Sequence, residues 1–299
     1  MVWFNKQMRP LVKNPVRSLS TKTLTSSEKL SIKYHDIFDY PMTMGELVRW
    51  KTGSMAVTDN TDAIGIDNRN GLFFLKGRQG LLLKRSVRKR ASIKKMKIAK
   101  KAAGLLNRIP TIKMVGVSGA LAMGNATEEA DIDLLIICAK GSLWITRAIS
   151  WLILKLFGQK IRKPKESDEK DKLCLIMWLD EGDLVWRKRN VFTAHEIAQV
   201  IPLVDKGGYY QSFINKNKWA KDYWPNAAKY SNKTVHTDKK GGIAQLFYTF
   251  IKLVEPVAFY FQKRYMRKKI TKETIKQNRA VFHPNDLSTI VVSRMGINK

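Results

Sequence analysis

The sequence predicts an α+β or α/β protein, and three observations carry that prediction. Residues 114–137 and 172–179 hold apolar, strand-like runs separated by turn and helix signals. Residues 27–75 read as short helices followed by a hairpin, and residues 81–107 as one long amphipathic helix. With 299 residues, 44% of them hydrophobic, the chain can bury a core and form two domains, which excludes wholesale disorder.

Residues 1–26 contain cations and no acid, and read as a flexible basic tail. The stretch SEKLSIKYHDIF from Ser27 predicts a helix ended by an Asp39-Tyr40-Pro41 turn. Thr43 and Glu46 have the spacing of a capping box, opening a short helix through Trp50. Asp67-Asn68-Arg69-Asn70-Gly71 is a hairpin turn signal, with Leu72–Leu75 as the outgoing strand. Residues 27–80 therefore outline a winged-helix-like domain. Its groove-reading element would lie in the turn-rich segment Gly53–Ile64, so a packing role is as well supported as DNA reading.

Residues 81–108 predict a basic linker helix with Leu83, Val87, Ala91, Ile98, Ala102 and Leu105 on one stripe. Residues 109–200 form the expected mixed-sheet core, and residues 201–299 a helical C-terminal region. Two apolar runs, Leu143–Phe157 and Ile243–Phe261, do not predict membrane spans. The first is short and carries Arg147 and Lys155; the second contains Lys252, Glu255 and Pro256. Both read as buried helices. The basic run Lys263–Lys269 leaves peripheral membrane contact as the lesser alternative.

Charge narrows the partners. Lys+Arg 55 against Asp+Glu 25 gives a net charge of +30, which attracts polyanions. Between Asn68 and Thr127 there are fifteen cations and no acid. A solvated helix face ordinarily mixes both signs, because like charges at i,i+4 repel. A single-sign face implies an anionic partner, so Arg85, Arg88, Lys89, Arg90, Lys94 and Lys95 are expected to meet nucleic-acid phosphates, with RNA favoured. Cys138 and Cys174 both sit in apolar runs, which excludes a disulfide scaffold and a cysteine-built zinc site and points to a reducing, cytoplasmic setting.

The segment Met114–Ile137 carries the chemistry. It reads as a strand, a small-residue turn at Ser118-Gly119-Ala120, a short helix near Gly124, and a second strand opening with Asp131-Ile132-Asp133. Period-two geometry puts Asp131 and Asp133 on one face. Two carboxylates that close repel unless a cation lies between them, and hard divalent ions suit such oxygen pairs. The glycine turn offers backbone N–H groups to phosphate.

Together, the turn and the D-x-D resemble the signature of the DNA polymerase β-like nucleotidyltransferase superfamily, over roughly Thr111 to Asp180. The wider order of motifs, FDYPMT, NGLFFLKGR, SGALAMGN, DIDLL, FTAHE and QNRAVFHPNDLS, is similar to an uncharacterised bacterial nucleotidyltransferase-domain family. The resemblance implies a mixed-sheet nucleotidyltransferase core that moves a nucleoside monophosphate from an NTP to an acceptor. It implies two magnesium (or manganese) ions on Asp131 and Asp133, and triphosphate on Ser118, Gly119, Ala120 and Gly124. Two departures stand out: Ala120 fills the position where a serine usually follows the glycine, and strand 172–179 contains no acid. Asp171 is the expected third catalytic carboxylate, with Asp180 as the alternative, while Cys174 fills an interior slot.

RNA is the expected acceptor, and self- or partner-protein nucleotidylation is a further option; polycationic aminoglycosides would be repelled. The competing class is a non-catalytic RNA- or ribosome-binding protein that keeps the fold. Elsewhere, Thr193 and Glu196 of FTAHE read as a helix cap, with His195 an ordinary helix-start residue and substrate contact as its alternative. Tyr209, Tyr210, Trp219, Tyr223 and Trp224 read as core, with base stacking as the alternative. Phe282–Asp286 reads as the end of one helix and the cap of the next.

Overall fold

The computed structural model describes residues 24–54, 61, 63–163, 166–227, 242–267 (of 242–249, the backbone alone), 274–282 and 287–296. Among them the fold is mixed α+β, with ten helices, a three-stranded antiparallel sheet and a six-stranded mixed sheet.

Helix α1 (Ser26–Asp36) is opened by Thr25, whose side chain and that of Glu28 bond each other's backbone N–H groups. Helix α2 (Met44–Arg49) repeats the device with Thr43 and Glu46, as the spacing predicts. Strands β2 (Ile66–Arg69) and β3 (Leu72–Leu75) form the expected hairpin. Asn70 and Gly71, at φ 55° and 73°, supply the left-handed pair that a tight turn of this hand needs. Strand β1 (Met42–Thr43) adds to the other edge of β3. Most of the candidate groove-reading segment Gly53–Ile64 and most of the basic tail lie outside the described residues, as does 283–286 in the predicted C-terminal cap.

Helix α3 (Leu81–Leu106) is continuous, as its periodicity predicts, but its stripe needs correction. Leu83 is 71% exposed and Val87 43%, while Ala91, Met96, Ala99, Ala102 and Leu106 are buried. Only the second half of α3 lies over the large sheet; the first turns are instead tied to the N-terminal unit by ion pairs.

The large sheet runs β7-β4-β5-β6-β9-β8. Strands β4 (Ile112–Val117) and β5 (Ile132–Cys138) pair antiparallel, and β5 and β6 (Leu173–Asp180) parallel. A nearly unbroken apolar run such as LLIIC suits a strand covered on both faces. One face of the sheet packs α3, α5 (Leu143–Leu156) and α9 (Gly242–Met266) through Leu134, Ile136 and Cys138. Leu135 and Ile137 face the other way, into a core shared by the N-terminal unit, α6 (Val191–Gln199), α7 (Tyr209–Lys216), α8 (Ala220–Tyr223) and α10 (Leu287–Met295).

The C-terminal third is not wholly helical, contrary to expectation. Strand β7 (Ile201–Asp205) joins β4, while β9 (Arg279–Val281) joins β6 and carries β8 (Thr274–Lys276) at the edge. These strands are three to five residues long, too short for alternation to mark them in the sequence. None of the described helices is long and apolar enough to cross a membrane.

Candidate active site

The Ser118-Gly119 turn, between β4 and the one-turn helix α4 (Gly119–Ala122), sits directly across from the start of β5. The backbone N–H of Ser118 donates to the carbonyl of Asp133 at 3.1 Å. Gly119 adopts φ +61°, and a Cβ on it would lie 2.6 Å from Asp133 Oδ2. Only glycine lets the turn approach the carboxylate this closely. Ser118 is buried and its Oγ has no hydrogen-bond partner among the described residues. Ala120 is exposed, and its carbonyl accepts from Asn125 N–H at 2.9 Å. Gly124, at φ +67°, donates to Leu121 and closes α4.

Asp131 and Asp133 share one face, as period two requires. Their oxygens and the Cys174 Sγ lie within 4.8 Å of one another. Cys174 is there because Asp133 and Cys174 are register partners in the parallel β5–β6 pair. Arg162 donates to Asp131 Oδ2 at 2.7 Å, approaches Cys174 Sγ at 3.8 Å, and also pairs with Glu169. Asp133 has no such ion pair among the described residues. Burial, then the charges of Asp131 and Glu196, push its pKa up to about 8, against opposing help from Arg162 and a thiol hydrogen bond. Cys174 is a neutral thiol, its pKa raised by burial and by the two aspartates.

Glu196, whose charge acts on Asp133, is a residue that the sequence reading assigned elsewhere. Helix α6 is capped by Asn190, whose side chain accepts from Thr193 N–H at 2.9 Å while Thr193 Oγ1 accepts from Asn190 N–H. Thr193 is thus the third helical residue and Glu196 lies a turn further on, half-buried. Burial raises its pKa to about 7, and Gln199 donates to it at 2.6 Å. The available signal was an Asn three residues before Thr193, an equally good cap.

Asp171 does not join the pair. It sits at φ 58° beside Ala130, and its carboxylate takes the Lys95 ammonium at 2.7 Å. Asp180 lies at the opposite end of β6, accepting from Gly141 and Gly182 N–H groups. Neither is close enough to complete a site with Asp131 and Asp133 among the described residues.

The six cations expected on nucleic acid divide evenly. Lys95 is 1% exposed and donates to the carbonyls of Glu128 and Ala130 as well as to Asp171. Arg85 pairs with Glu46 at 2.5 Å and lies over the Tyr40 ring; Arg88 bonds Asp39 and the carbonyl of Phe38. These three are internal struts, because the chain supplies their anions. Lys89, Arg90 and Lys94 point to solvent, and the latter two border a cavity of about 360 Å³ beside Glu128 and Asp171.

His195 is a core residue. It is buried, stacks on Trp50 with centroids 4.1 Å apart, and places Nε2 3.3 Å from Nε2 of His35. Burial lowers both pKa values, that of His35 to about 4. Tyr34 and Trp224 complete this box, and Tyr210 is also buried. The aromatic cluster thus serves as core, with Tyr209, Trp219 and Tyr223 packed against it. The chain matches no protein-family model, and no curated protein is similar to it.

Proposed function

We propose that this protein is a divalent-cation-dependent nucleotidyltransferase that moves a nucleoside monophosphate from an NTP to an acceptor, with RNA the favoured acceptor. One observation carries the reading: the absent Gly119 side chain is what lets the turn lie against the Asp133 carboxylate. A glycine turn and an acidic pair then lie side by side, as a metal-bound triphosphate requires.

The donor set fits a hard cation. It offers two carboxylates on one face, and burial, followed by the charge of Asp131, raises the pKa of Asp133, so that a positive charge beside it would favour its ionised form. The thiol beside them is neutral, hence a poor ligand for magnesium or manganese. When bound, two such ions would polarise the phosphates and make the attacking hydroxyl more acidic. Asp131 and Asp133 hold the cations, and the Ser118–Ala120 turn holds the phosphates. Glu196, with a pKa about 7, is the carboxylate suited to take the acceptor's proton. Lys89, Arg90 and Lys94 meet the phosphates of the acceptor.

Pyrophosphate release from each NTP with Mg²⁺ or Mn²⁺, with RNA or protein acceptors, tests the proposal. The expected result is release by the wild type and a loss of about 10²-fold or more in Asp131→Asn. Replacing Lys89, Arg90 and Lys94 with Gln should weaken RNA binding and lower its logarithmic salt slope by about 2–3. No release with any acceptor would favour the second reading, a non-catalytic RNA-binding protein. Arg162 on Asp131, and Cys174 opposite Asp133 where an acid would sit, are the observations on its side.

A further inference from the structure

Helices α5 and α9 bury one side of each against the sheet and against each other. The single acid of α9, Glu255, is turned inward, where it accepts from the backbone N–H groups of Trp144 and Ile145 at 2.7 and 2.9 Å. Gln262 adds a bond to the Trp144 carbonyl. The outward sides are unusual. On α9, Phe250, Leu253, Val257, Tyr260 and Phe261 recur at helical spacing and are exposed, Leu253 by 77% and Phe261 by 63%. On α5, Trp151, Leu152 and Leu156 are exposed, with Phe157 just beyond the helix.

The charges interleaved with these side chains have one sign. Lys155, Lys160, Lys252, Lys263, Arg264 and Arg267 are exposed, and residues 143–163 contain no acid at all. Lys155 lies over the Trp151 ring at 4.5 Å. We propose that the outward sides of α5 and α9 dock this protein, without spanning it, on an anionic lipid bilayer surface. Aliphatic side chains would enter the acyl boundary, Trp151 and Tyr260 would sit at headgroup depth, and the cations would pair with lipid phosphates. A second copy of the chain is a poorer occupant. A two-fold interface would set these cations against their own counterparts with no exposed acid on either helix to answer them.

The test is flotation of the full chain, nuclease-treated, with vesicles of phosphatidylcholine alone or with 30–40% phosphatidylglycerol, about the range in which surface potential becomes strong. Flotation is expected with the anionic vesicles only. It should fall about tenfold in Leu253→Glu/Phe261→Glu and in Leu152→Glu/Leu156→Glu, and little in Leu83→Glu, an exposed apolar position on another helix. Circular dichroism and melting temperature check that each variant folds. Where a helix variant does not fold, fluorescence quenching by brominated lipid replaces it: the wild type should be quenched, and Trp151→Phe should lose most of that quenching. Failure to float after nuclease treatment would overturn the proposal. So would flotation unchanged in the α5 and α9 variants, or a lipid-free dimer that those variants dissolve.

Discussion

Two regions of this molecule press ionisable side chains together away from water, with opposite outcomes. Around His35 and His195 the chain supplies Tyr34, Trp50 and Trp224, both imidazoles stay neutral, and the rings pack as core. Around Asp131 and Asp133 the described residues supply a positive-φ glycine, a serine hydroxyl without a partner among them and one arginine directed at one carboxylate only. The first region keeps its imidazoles uncharged, although the Tyr34 hydroxyl finds no partner among the described residues. The second has left a deficit that a cation would fill, and this separates a site from a core more sharply than residue type does.

The comparison can be broken first at the aromatic box. Trp50→Ala should cost about 3–5 kcal/mol of stability in chemical denaturation, yet leave nucleotide turnover intact wherever the variant is folded. Loss of turnover in a folded variant would mean that the box belongs to the site. Gly119→Ala tests the other region. It should cost about 1–3 kcal/mol, because the methyl group meets Asp133 and the backbone conformation is strained, and it should also abolish pyrophosphate release.

The smallest effect is in the pH dependence of stability. The folded-state pKa of Asp133, about 8, lies above its ordinary value of 3.8, so its contribution is present below pH 4 and lost as pH rises through 8. His35 is shifted the other way, from 6.5 to about 4, so its contribution is present above pH 6.5 and lost on acidification toward 4. In thermal melts of metal-free protein, Asp133→Asn should raise stability by about 1–2 kcal/mol at pH 8–9 and not at pH 4. His35→Gln should flatten the acid limb only.

What the sequence revealed was local. The Thr43/Glu46 box, the Asn70-Gly71 turn, the Asp131/Asp133 spacing and the long helix depend on neighbours within a few residues, and each formed where its pattern predicts; the Thr193/Glu196 box did not, because Asn190 caps that helix instead. What it concealed depended on register between distant segments. Lys94 and Lys95 are adjacent and chemically identical, yet one is exposed and the other buried on Asp171, seventy-six positions along the chain. Cys174 reaches Asp133 only through parallel strand pairing, and Glu196 enters that neighbourhood only once α6 is capped at Asn190. Periodicity cannot say which side of a uniformly cationic helix turns inward.

Lys95 has one more effect. Its ammonium joins α3 to the carbonyls of Glu128 and Ala130, immediately ahead of Asp131, and to Asp171, just ahead of β6. The helix is therefore pinned beside the start of the acidic strand like a rail bolted to its platform. A polyanion lying along Lys89, Arg90 and Lys94 would be held at a constant offset from the two aspartates. To slide that track, the protein would have to pull a fully enclosed positive charge off three oxygens at once.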